Sequence, residues 1–135
     1  MKKMLVIAAA VVLVGAAGLA WSLSSPEGVG LSKLKANPER YVGKVKVIAL
    51  AGRTDANQGL LEIADEKACC TVVLEVPFNA QQQALLKSEH IYSGAMPEKG
   101  TPLEVLGTLS QRGAGYSLSV TRVNSGGKVI IKRLS

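Results

Sequence analysis

Aromatic side chains are nearly missing from this chain. Its 135 residues hold one Phe, one Trp and three Tyr, so any core must be built from Val, Leu, Ile and Ala. Histidine occurs once, at His90, and no serine or carboxylate is placed around it in a catalytic motif. That removes the basis for triad-type hydrolysis. No glycine-rich stretch follows a strand and opens a helix, so a phosphate cradle of the nucleotide-binding kind is missing too. The two cysteines, Cys69 and Cys70, are adjacent and have no CxxC partner. Two thiolates alone do not complete a tetrahedral zinc site. These shortages point to a domain without enzymatic activity.

Long uncharged runs are confined to the N-terminus. Lys2 and Lys3 precede an uncharged stretch from Met4 to Leu23, the pattern of a basic n-region and an apolar export core. About 20 residues suffice to cross a bilayer. Residues 1–23 are therefore a signal peptide, with Gly18 and Ala20 as the small residues of a cleavage site, or a transmembrane anchor with Trp21 at the interface. The extension of the run past Ala20 through Trp21 and Leu23 favours the anchor. No cysteine lies near the end of the run, which excludes a bacterial lipoprotein. Either way the lysines stay cytoplasmic and the domain is expected in the periplasm, tethered to the inner membrane or released from it. Residues 24–30 (SSPEGVG) read as a flexible linker, and residues 31–135 as the domain.

Within the domain, Leu31 to Val42 reads as a short helical lid. Ser32 is a candidate cap for its first turn and Asn37 for a second, with Pro38 following and Gly43 as the stop. Three apolar runs come next, Val45–Ala51, Leu60–Ala64 and Thr71–Val76. They are strand-length, rich in β-branched residues and separated by turn-forming or charged residues. Gly52 marks a bulge or bend. Asn79 caps a helix expected over Ala80 to about His90. A loop from Gly94 to Gly100 leads to strands marked by Leu103–Leu109 and Tyr116–Val120. A last short strand covers Val129–Lys132.

Three strands, a helix and two more strands is the order of the OB-fold, a five-stranded Greek-key barrel. An all-β domain of that kind is expected, with one or two short helices, the longer one between strands three and four, and the apolar N-terminal helix ahead of it. NPERYVGKVKVIALAG at the start and GTPLEVLGTLSQRGAGYSLSVTRV at the end resemble the corresponding parts of that fold. The whole chain resembles small exported bacterial OB-fold proteins of the anticodon-binding-like kind. More distantly it is similar to the membrane-anchored haem chaperone of cytochrome c maturation. That resemblance implies a haem carrier, but the chaperone's haem-binding histidine follows the final strand. His90 precedes strand four, so no haem-binding residue carries over from the resemblance.

Candidate chemistry is sparse. Cys69 and Cys70 admit a redox-active vicinal disulfide, an intermolecular disulfide or a soft-metal site. They also admit ordinary packing, one side chain inward and its neighbour outward. His90, with Met96 nearby, is a candidate haem or metal ligand, or a histidine at a helix C-terminus held by the dipole. Lys44, Lys46, Arg53, Arg112 and Arg122 could line one binding face. The net charge is +6, of which two charges are leader lysines. With so few stacking platforms, this argues against nucleic acid as a partner. The expected role is a membrane-tethered binding module for an envelope protein or a small ligand, with its site on the face of strands one to three. A haem or metal carrier and a thiol-redox protein are the alternatives.

Overall fold

The computed structural model describes residues 28–67 and 70–134. The leader, most of the linker and Cys69 lie outside these residues, and so does the reading of residues 1–23 as an anchor or signal. Among the described residues no helix is long and apolar enough to cross a membrane.

The described chain is mostly β. In order it forms β1 (Gly28–Gly30), α1 (Leu31–Ala36), a 3-10 turn (Pro38–Tyr41), β2 (Gly43–Asp55), β3 (Leu60–Ala64) and β4 (Thr71–Glu75). There follow α2 (Ala80–Leu86), β5 (Tyr92–Gly94), β6 (Pro102–Arg112), β7 (Gly115–Ser125) and β8 (Lys128–Arg133). One sheet runs β4-β3-β2-β6-β7-β8-β5 and curls into a half-barrel, with β1 parallel to β2 off this path. Among the described residues eight strands form where five or six were expected.

Alternation along the strands sets the inside. Val45, Val47, Ala49 and Ala51 are buried while Ile48 between them is exposed. Leu61 and Ile63 of β3, Leu74 of β4, Leu103, Val105 and Leu109 of β6, and Val120 and Val123 of β7 complete the aliphatic core. Successive strand residues face opposite ways, so each strand offers one apolar row. The β2–β3 register shifts between Ala51 and Thr54. Gly52 lies within that bulge, where a Cβ would collide with the Glu62 carboxylate. The bend lets the first half of β2 pair with β6 and its second half with β3.

Three local readings need correction. The end of the presumed spacer is strand β1, paired with Lys46–Ile48. That stretch of β2 is left uncovered by β3, and Gly28, having no Cβ, lets the Ile48 side chain pack against it. Ser32 does not cap α1 with its side chain. Its backbone N–H donates instead to Asp65 Oδ2 at 2.9 Å. Asp65 also accepts from Lys67 N–H at 2.8 Å, and these bonds, the one to Lys67 foremost, lower its pKa. The second helix stops at Leu86, short of His90, because Lys87 turns left-handed at φ 55°. Ser88 N–H then closes back on Gln83 O at 3.0 Å, a Schellman-type ending.

The start of α2 is fixed by a reciprocal cap. Asn79 Oδ1 accepts from Gln82 N–H at 2.8 Å, as its sequence position predicts. The buried Gln82 side chain accepts from Phe78 N–H at 2.7 Å and donates to Ala56 O at 2.6 Å. One side chain thus ties the helix to the β2–β3 turn. Replacing Gln82 by Ala leaves Phe78 N–H and Ala56 O without this partner. Urea denaturation is expected to show a loss of about 1–3 kcal/mol, whereas exposed Gln81→Ala should be close to neutral.

Candidate functional site: an open seam between two strand edges

The ladder that builds the half-barrel stops at β4. Four successive antiparallel pairings connect β4 to β7 through β3, β2 and β6. The two strands therefore run in the same sense. Curling brings them to opposite sides of a cleft of about 720 Å³, lined by Val72–Glu75 on one bank and Tyr116–Val120 on the other. Among the described residues, β4 pairs only with β3. β7 gains its second neighbour, β8, only from Arg122 onward.

Backbone directions follow from the antiparallel alternation. Asp65 N–H donates to Cys70 O at 3.0 Å, and Val76 N–H to Gly59 O at 2.7 Å. These bonds direct the peptide groups of Cys70, Val72, Leu74 and Val76 toward β3. Those of Thr71, Val73 and Glu75 point into the seam. On the other bank, Arg112 and Gly115 flank a two-residue hairpin loop and form its closing pair. Alternation from there directs Ser117 and Ser119 toward β6, and Tyr116, Leu118 and Val120 toward the seam.

The seam is strapped across at one end and met by α1 at the other. At one end buried Tyr92 reaches both banks: its N–H donates to Pro77 O at 2.8 Å, just past β4. Its hydroxyl donates to Val120 O at 2.8 Å. At the other end Lys35 Nζ, from α1, donates to Thr71 O at 3.3 Å. Below that end lies a smaller pocket of about 280 Å³ under α1, lined mainly by apolar groups of Leu31, Leu34, Ile63, Leu109 and Leu118. Val72, Tyr116 and Leu118 border both spaces, so the pocket adjoins the cleft. Val73 on the outer lip of β4 is 55% exposed, and Tyr116, at the start of β7, is 36% exposed.

Burial raises the Tyr92 pKa, Glu75 adds to the rise, and Arg133 opposes it. The phenol stays protonated and keeps its donor through the physiological range.

The residues proposed from sequence are dispersed over this frame. Lys44 and Lys46 on β2 and Arg122 on β7 flank β6 in register. Their positions alternate with buried Val45, Val47 and Val123, which puts them on the outer face of the sheet. Arg112 lines the cleft instead. Arg53 follows the β2 bulge, its N–H donating to Glu62 Oε1 at 3.2 Å. His90 lines the cleft, beyond α2 rather than at its C-terminus, so the helix-dipole rationale falls away. Its N–H donates to Ser88 Oγ at 3.3 Å. Met96 packs half-buried against the core. Cys70 is disulfide-bonded, and the sequence holds one other cysteine, Cys69. Cys70 precedes the Lys35 end of β4, whereas His90 lies two residues before Tyr92 at the opposite end, so a shared metal site is not assembled from them. Among the described residues no group of three or more His, Cys, Asp and Glu could hold a metal ion. Of strands one to three, where a binding face was expected, only the third, β4, borders the cleft, whose other bank is β7. Sequence reasoning missed Tyr92 as a strap, and the signal was faint: a lone aromatic beside Gly94.

Compared with protein-family models, curated proteins and solved structures, the chain matches none.

Tyr92→Phe keeps the ring and deletes the bond to Val120 O. A loss of about 1–3 kcal/mol in denaturant unfolding is expected, with no such loss for Tyr116→Phe. The raised pKa gives a pH sign as well. The folded state keeps a proton that the unfolded chain releases, so this stabilisation is full below the ordinary tyrosine value of about 10 and declines as pH rises above it. Tyr92→Phe should flatten that decline.

Proposed function

We propose that this chain is an exported, membrane-tethered OB-fold binding module without catalysis, and that it binds an envelope protein or a small ligand in the seam between β4 and β7. The observation that carries the reading is the seam itself: a cleft and an adjoining apolar pocket where β4 and β7 do not pair. Its volume is in the range of ligand sites, about 300–1,000 Å³. The order β2, β3, β4, α2, β6, β7 fits the OB scheme, with β2 as the bent first strand and β1, β5 and β8 as additions. OB-folds are partly open barrels that bind through strands two and three and through the loop between strands four and five. Here those parts correspond to β3, β4 and the β6–β7 hairpin, and the cleft touches β4 and both sides of that hairpin at Arg112 and Tyr116. The basic n-region and the uncharged run of the leader support the export part of the reading.

Site-specific photo-crosslinking of the full chain in a bacterial host tests it. A benzophenone side chain replacing Val73, on the seam, should give discrete adducts with an envelope component. The same group replacing Lys44, on the outer face, should not. Adducts from position 44 alone, or a domain shielded from externally added protease in spheroplasts, would overturn the reading.

A further inference from the structure

We propose that the occupant of the seam is an extended polypeptide segment, which adds as one strand between β4 and β7 and runs antiparallel to both. This rests on the seam being the binding site and names what it takes. The two banks run in the same sense, so a single inserted strand can be antiparallel to each, the more stable pairing. The peptide groups of Val73 and Glu75 face it from one side and those of Tyr116 and Leu118 from the other. A strand's own donors and acceptors alternate sides, so it meets both edges at once. A compact ligand or a helix, whose backbone groups are already paired, has no equivalent set to offer.

Side-chain chemistry follows from the pleat. Inward-pointing residues of the segment meet Val72, Leu118 and the apolar pocket beneath α1, so alternate positions are apolar. Outward-pointing residues lie beside Val73, Ser117 and Ser119, where threonine or valine makes good cross-strand pairs. Charge sets the direction. Glu75 and Glu89 lie toward the Tyr92 end, where the N-terminal side of an antiparallel segment falls. Lys35 and Arg112 lie toward the α1 end, where its C-terminal side falls. An acidic residue or a free carboxylate there complements these two cations. Between Thr71 and Glu75 the strand offers five positions. The matching segment is therefore about five to seven residues long, given roughly 3.3 Å per residue.

The probe is an N-acetylated peptide of about seven residues, alternating valine and threonine and ending in a free carboxylate. It is added to the full chain in detergent, and backbone amide signals are followed by NMR. Saturable binding that protects the Val73, Glu75 and Leu118 amides from exchange is expected. N-methylating alternate peptide nitrogens should weaken binding by at least about fivefold, as should Val73→Pro, since each deletes a backbone hydrogen bond. The methylated peptide leaves the protein untouched and so covers the case of a misfolded proline variant. Equal affinity of methylated and parent peptides, or no protection of these amides, would overturn the inference. Concentration-dependent protection of the same amides without peptide would assign the seam to a second copy and overturn it too. Crosslinks from position 73 together with a silent peptide titration sink only this inference. Absence of those crosslinks sinks the reading beneath it.

Discussion

A sheet must end somewhere, and where it ends its backbone donors and acceptors lack partners. That constraint shapes this domain more than any side chain does. Curling brings β4, one end of the sheet, to face the first half of β7, which β8 leaves uncovered, but direct pairing between them does not form. Tyr92 spans the gap at one end, bonding to Pro77 O and Val120 O. A buried aromatic with a polar tip suits this task, because its ring fills core volume while its hydroxyl satisfies a carbonyl that the missing strand would have taken. Below Tyr92 the edges stay apart.

Exposed strand edges recruit other strands, and proteins usually blunt them. Here the free stretches of β4 and β7 face each other across the cleft. The lid at the far end keeps the recess in shape. α1 places Leu31 and Leu34 in the core and sends Lys35 to Thr71 O. Its own N-terminus is held by Asp65. Asp65 is an acid whose pKa is lowered by these bonds, so its support is complete above the ordinary aspartate range and fades as pH drops below it. The seam, its strap and its lid thus form one unit, in which the apolar pocket lies where the lid meets the open edges.

Much of the framework was legible in the residues. The alternation Val45, Val47, Ala49, Ala51 fixed the inner face of β2, because one-sided burial and a two-residue period leave a single register. Asn79 announced a helix start and Gly52 a bulge, since both effects are local. What escaped was non-local. β1 depends on an uncovered stretch of β2 about eighteen residues away, and three residues carry too little pattern to advertise it. β5 exists because β8 offers it an edge. Lys87 in a left-handed conformation shortened α2, against its ordinary preference. Of the five cations, Lys44, Lys46 and Arg122 flank β6 in register, while Arg112 borders the cleft and Arg53 follows the β2 bulge. The seam could not be read at all, because it is a missing pairing, and sequence patterns report the strands that form rather than the contacts they decline.

Amide hydrogen exchange resolved to single residues addresses the open seam most directly. The structure requires a two-residue rhythm along each bank in the unliganded protein: Val73 and Leu118 exchange rapidly, while Leu74 and Ser117, bonded to β3 and β6, are protected. Uniform protection along both strands would mean that β4 and β7 are paired with each other, and the site described above would not exist.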